Sequence, residues 1–183
     1  VLEENNISTI NSHIFVCGDN QTVVRSAKKS LTGYDIQTGN LLWSVDLDYI
    51  IEDYLFYHSV RNTLFVGTYH TEEIFSTSYE LTEVDLSTGE ILQSIPLYLN
   101  GSTSASLTFS SPYVDTLSTS GRFSLDGNAF IGVFFDSDKQ LYCFVADLQT
   151  GTSQIVYTYP AFSLYTPNVI GVLAREDGSC HIL

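Results

Sequence analysis

The sequence predicts an all-β fold, and three observations predict it. Short runs rich in β-branched and aromatic residues recur along the whole chain, no stretch sustains helical periodicity, and one hairpin is written three times. The hairpin reads "LTGYDIQTGNLLWSV" at 31–45, "LTEVDLSTGEILQSI" at 81–95 and, in a worn form, "CFVADLQTGTSQIVY" at 143–157.

Taken in chain order, the strand candidates are "HIFVCG", "LLWSVDL", "YLFYHSV", "TLFVGTY", "ILQSIPLYL", "AFIGVFF", "LYCFVADL", "QIVYTY" and "VIGVLA". Gly, Asp, Asn, Ser and Thr separate them, as turns require. "RSAKKSL" has the only helical flavour, but without a cap or a continuing apolar stripe it reads as a hairpin tip. Each repeated hairpin turns on Asp-x-x-Thr-Gly. The carboxylates of Asp35, Asp85 and Asp147 suit Asx-turns, and Gly39, Gly89 and Gly151 supply the positive φ of a tight reversal. These six are expected to be structural rather than catalytic or metal-binding.

Laid over one another without a gap, 14–39 and 64–89 extend the repeat beyond the hairpin; the third unit has a shorter loop, and the extra length before it falls in the Ser/Thr-rich segment 98–128, which reads as a surface insertion. The expected units are about 12–60, 61–125, 126–165 and an incomplete 166–183. Strand, loop, strand, turn and strand, with a fourth strand in the connector, make four strands per unit of roughly 50 residues, the period of a β-propeller blade. The expectation is a single β-propeller-like array of about three and a half four-stranded blades, either closed on itself or part of a larger propeller.

The chain has 183 residues, 44% hydrophobic and 15% charged, enough for one sizeable core. Seven Lys and Arg against 21 Asp and Glu leave a net charge of -14, which repels nucleic acid and anionic membrane surfaces. No run approaches the ~18 apolar residues of a membrane span. The absence of methionine suggests a processed piece or a domain of something longer. Cys17, Cys143 and Cys180 form no metal or redox spacing and read as buried thiols on apolar strands, although one disulfide and a free thiol remain open. Sequons at Asn6, Asn20 and Asn100 pull toward glycosylation and a secreted or lumenal location, with a cytoplasmic one as the alternative.

No constellation names a reaction, and no catalytic or cofactor-binding residue is expected. His13, His58, His70 and His181 stand at no ligand spacing and read as strand-edge or loop residues. "SLDGN" and "DSDKQ" place Asp126, Asn128, Asp136 and Asp138 on loops whose oxygens suit a hard cation such as Ca²⁺, but the full calcium-loop pattern is missing and both segments read equally as turns. The 11 Phe and 12 Tyr suit packing between blades before they suit a recognition surface.

"LTGYDIQTGNLLWSV" resembles the quinoprotein-type, or pyrroloquinoline-quinone-like, propeller repeat, in which Asp-x-x-Thr-Gly precedes a strand carrying Trp or another large apolar residue. The match is good at 34–43, fair at 84–92, where Gln93 replaces the aromatic, and weak at 146–155. The resemblance implies the fold and says little of activity. A quinone-dependent dehydrogenase of that class implies a Trp in nearly every blade, whereas this chain has only Trp43. The expected function is therefore a non-enzymatic binding or scaffolding module with a protein or glycan partner, prone to self-association or completed by further sequence. The alternative is part of a quinone- or sugar-directed oxidoreductase whose active site lies in other blades.

Overall fold

The computed structural model describes residues 12–17, 19, 21–73, 76–97, 121–124, 126–135, 141–159, 172–174 and 180–182. They form three four-stranded antiparallel sheets and a two-stranded one, with no helix among the described residues. β1 (Ser12–Val16), β2 (Thr22–Ala27), β3 (Ser30–Asp35) and β4 (Leu41–Asp46) build the first sheet. The second comprises β5 (Ile50–His58), β6 (Thr63–Glu73), β7 (Ser76–Asp85) and β8 (Ile91–Leu97). β9 (Gly121–Phe123), β10 (Ala129–Phe135), β11 (Leu141–Asp147) and β12 (Thr152–Tyr159) follow as the third, and β13 (Val172–Ala174) pairs with β14 (Cys180–Ile182). Within each sheet the strands meander, each bonded to its neighbour in sequence.

The apolar residues divide into two clusters rather than the one core that length suggested. Cys17, Val24, Leu31 and Trp43 of the first sheet meet Leu55, Leu64, Val66 and Val84 of the second. On its other face the second sheet offers Phe56, Phe65, Leu81 and Ile95 to Phe130, Phe144 and Ala146 of the third. The alternation of side chains along each strand makes this two-faced packing possible. At about 1.5–3 kcal/mol for each large side chain removed from water, both seams are stabilised chiefly by burial. In the second seam, rings fill the space in tilted or edge-on pairs, with centroids 4.8 Å apart for Phe56 and Phe130 and 5.3 Å for Phe123 and Phe130.

Several details differ from the sequence reading. Sheet boundaries do not fall at 60/61 and 125/126: β5 and β9 pair forward, as the first strands of the second and third sheets. The segment read as an insertion therefore contains a strand and the turn after it, while 98–120 lie outside the described residues. The gapless overlay of 14–39 on 64–89 also fails before the shared hairpin. Asp35 pairs with Thr22 and Asp85 with Thr63, so the hairpin joining β6 and β7 is the longer one and Ile14 belongs to a different strand of its sheet than Leu64. "RSAKKSL" does contain the β2–β3 tip, where Lys28 takes a φ of 51°.

The third hairpin differs in register. In the first two sheets the outermost strand bulges just after the turn, so that Gly33 faces Trp43 and Glu83 faces Gln93. In the third the irregularity lies further along, and Val145 faces Gln154. A one-residue slip moves every side chain to the opposite face. Ile155, the counterpart of Trp43 in sequence, accordingly packs back against the second seam.

Candidate functional site

The three Asp-x-x-Thr-Gly turns share one geometry. Asp35 Oδ1 accepts from the N–H groups of Gln37 at 3.0 Å and Thr38 at 2.7 Å; Asp85 accepts from Ser87 at 2.8 Å and Thr88 at 2.9 Å, and Asp147 from Gln149 at 2.8 Å and Thr150 at 3.0 Å. Gly39, Gly89 and Gly151 close the turns at φ of 71°, 75° and 67°, each donating its N–H to the carbonyl of the Asp. Donors on the charged form favour ionisation. The Thr38 hydroxyl and N–H hold the Asp35 carboxyl below its ordinary range, and the Thr150 and Gln149 N–H groups do the same for Asp147.

What each turn meets differs along the chain. The Trp43 indole lies across Gly89, where a Cβ would stand 2.8 Å from Trp43 Cε3, and its Nε1 donates to Leu86 O at 2.6 Å. The same ring covers Gly33, whose missing side chain is the space the indole uses. One sheet further on, Gln93 Nε2 donates to Leu148 O at 3.1 Å. Leu148 follows the Asp of its turn as Leu86 follows Asp85, so an amide substitutes for an indole while the same carbonyl is satisfied. Opposite Gln93, in the place of Gly33, stands Glu83, buried and bonded by Gln93 Nε2 at 2.6 Å, Thr63 Oγ1 at 2.7 Å and the Arg61 guanidinium at 3.3 Å. A buried carboxylate needs such partners.

His58 also belongs to this second seam, at the end of β5, the edge strand of its sheet. Its Nδ1 accepts from Arg61 N–H at 3.2 Å, which leaves Nε2 carrying the proton that it donates to Gly127 O at 2.9 Å. His13, His70 and His181 lie on β1, β6 and β14. Asp126 and Asn128 sit in the β9–β10 turn. Both oxygens of Asp126 are engaged there, by Ser124 Oγ at 2.5 Å, Asn128 N–H at 3.1 Å and Asn128 Nδ2 at 3.0 Å. Those donors, the Ser124 hydroxyl first, lower the carboxyl to about 2. Asp136, Asp138, Asn6, Asn20 and Asn100 lie outside the described residues. Among the described residues, no three His, Cys, Asp or Glu groups gather as a metal would need. Cys17 is a buried thiol pushed up to about 12 by burial and by Asp19, and Cys143 is buried as well.

The first sheet carries a surface that reasoning from the sequence missed. Val16 pairs with Val23, Val23 with Tyr34 and Tyr34 with Leu41, so these four cross the sheet in one row on a single face. In the second sheet the corresponding row is Tyr57, Leu64, Val84 and Ile91; Leu64 and Val84 are fully buried against the first sheet and Tyr57 packs beside them, while Ile91 at the end of the row is 41% exposed. In the first sheet Val16 is 56% exposed and Leu41 60%. Beside that row lie Ile14, Arg25, Thr32 and Ser44, with Ile14 74% exposed. The adjoining turn is equally open: Ile36 is 44% exposed where Leu86 and Leu148 are 1% and 3%, and a Cβ on Gly39 would meet nothing. The repeated sequence gives no signal for this, because Ile36, Leu86 and Leu148 are alike in it.

No known protein family and no curated protein matches the chain in sequence. Solved structures do match, 214 chains in all. The crystal structure of BamB from Moraxella catarrhalis, a β-propeller, superposes with a TM-score of 0.51 at 12% identity, over 90% of this chain. The fold is that of a β-propeller array. The chain spans 44% of the length of that BamB; its three four-stranded sheets are blades of the array, and β13 and β14 form a two-stranded sheet among the described residues. The seams are interfaces between blades, and the open face belongs to the first blade on the side away from the second.

Proposed function

We propose that the chain is a non-enzymatic binding or scaffolding module of quinoprotein-like blades, and that it binds a protein partner through the open face of the first blade. The observation that carries this reading is the row of Val16, Val23, Tyr34 and Leu41 on the first blade, with Val16 and Leu41 exposed and Val23 and Tyr34 half-buried, whereas Leu64 and Val84, in the places of Val23 and Tyr34 on the second blade, are fully buried by a neighbouring sheet. Contiguous exposed apolar surface of this kind favours protein association. The polar groups that stand out in the sequence support the reading from the other side. Trp43, Gln93, Glu83, Arg61 and His58 are taken up by the seams, and Asp35, Asp85 and Asp147 by their own turns. Likeness to BamB is compatible with a non-enzymatic propeller.

A photo-crosslinking amino acid at Ile14, on the open face, tests the reading against the same group at Val60, exposed in the β5–β6 turn. Irradiation in an extract of the native source is expected to give a protein adduct from position 14 and none from position 60. Equal labelling from both sites, or none from 14, would sink it. A secretory-pathway location and glycosylation at Asn6, Asn20 or Asn100 belong to the same reading, and a mass measurement on native protein checks them directly.

A further inference from the structure

We propose that Glu80 makes the joint between the first and second blades sensitive to pH: with its carboxyl neutral the joint closes, and with its carboxyl ionised the joint loosens. Val84 of β7 is fully buried against the first blade, and alternation along the strand brings Thr82 and Glu80 onto the same face. Glu80 is half-buried there, in a row that runs from Ile51 through Thr68 to Pro96, further along the seam from the Asp85 turn than Val84. Beside it passes the connector from β4 to β5, which brings the charge of Asp48 to bear on it. That connector is tied to the first blade. Leu47 N–H donates to Lys29 O at 2.6 Å, Ile51 N–H to Lys28 O at 2.7 Å, and the Lys29 ammonium to Asp48 O at 2.5 Å.

Lys29 is thereby engaged by a main-chain carbonyl, and among the described residues no ion pair reaches Glu80. The groups around its carboxyl are Asp48 and Lys29 on the first blade's side, Thr68 on β6, Thr82 on its own strand and Ser94 on β8, whose hydroxyl bonds it and also meets Thr82 Oγ1 at 3.2 Å; His70 is the next titratable residue on that face of β6. A carboxylate half out of water, beside a like charge and without a cation, is unfavourable where the neutral acid is not. Burial raises the Glu80 carboxyl above its ordinary value; the Ser94 hydroxyl opposes this and the charge of Asp48 adds to it. A raised folded value contributes stability that is fully present below the unfolded carboxylate value of about 4 and is lost as pH rises through the folded one. Parting the blades returns the carboxylate to water, so neutral pH favours the parted form and mild acid the closed one.

Hydrogen exchange tests this. Trp43 Nε1–H donates to Leu86 O across the same seam, so its exchange with deuterium requires the joint to part. Measured by NMR against free tryptophan at the same pH, its protection is expected to rise severalfold from about pH 7 to about pH 5. Glu80→Gln, neutral at every pH, is expected to show throughout that range the protection the parent reaches only at its acid end. Asp48→Asn is expected to keep the pH dependence with its midpoint moved down. Protection independent of pH in the parent, or a pH dependence that survives in Glu80→Gln and so belongs to another group such as His70, would overturn the proposal. So would a Glu80 carboxyl resonance in the parent that titrates at or below the ordinary glutamate value of about 4.3, a measurement that needs no variant.

Discussion

At the scale of single residues, the seams show how one contact survives a change of chemistry. Indole and amide differ in size and polarity, yet Trp43 and Gln93 each bring an N–H to an equivalent carbonyl. The residue across the strand changes with them: Gly33 vacates the space the indole occupies, and Glu83 supplies the acceptor a primary amide needs for its second proton. Gly33→Ala is therefore expected to cost about 1–3 kcal/mol, as over-packing does. In a Trp43→Leu background the same change is expected to cost little, because the ring it collides with is gone. Denaturant melts of the four-member cycle check this, and additive costs would mean that the two positions are not coupled. The sequence showed that Gln93 departs from the aromatic pattern. It did not show the compensation at Glu83, which depends on cross-strand register.

Among the elements, the hairpin turns are the most legible part of the chain. Asp, Thr and Gly at fixed spacing specify the reversal locally, so residues 31–39 and 81–89 carry their structure in their own sequence. Blade boundaries are less legible, since β5 and β9 join their sheets without a motif of their own, and a bulge shifted along β12 turned Ile155 to the other face without any mark in the composition. The same turns set an acid limit. Asp35, Asp126 and Asp147 have carboxyls lowered in the fold, chiefly by the Thr38 hydroxyl, the Ser124 hydroxyl and the Thr150 N–H in turn. A group with a depressed folded value contributes stability that is fully present above the unfolded carboxylate value of about 4 and is lost as pH falls through the folded one. Thermal melts are expected to be nearly flat above about pH 5 and to drop between about pH 4 and about 2, less steeply in Asp126→Asn. A melting temperature unchanged down to about pH 2 would contradict this.

For the whole molecule, charge and apolar surface oppose one another. A net charge of -14 repels an acidic partner, and any such partner at the first blade has to overcome that repulsion. Raising the salt from 0.01 to 0.15 M shortens the screening length from about 30 Å to about 8 Å. Association with an acidic partner at that face is thus expected to tighten severalfold over that range, read as the midpoint of a binding titration; weakening by salt would instead mark a contact between opposite charges. Class and repeat were visible in the residues because they follow from alternation and turn chemistry. Which repeat stands uncovered was not, because neighbours in space decide it and the motif is the same in each copy.

Trp43 is the sole tryptophan of the chain, and it lies buried between the first and second blades with its ring against Gly33 and Gly89. The fluorescence of the protein on excitation of indole is therefore a signal from one seam. Its emission wavelength follows the wetting of that joint while dichroism averages over every sheet, so the two together separate the parting of two blades from the unravelling of the strands within them.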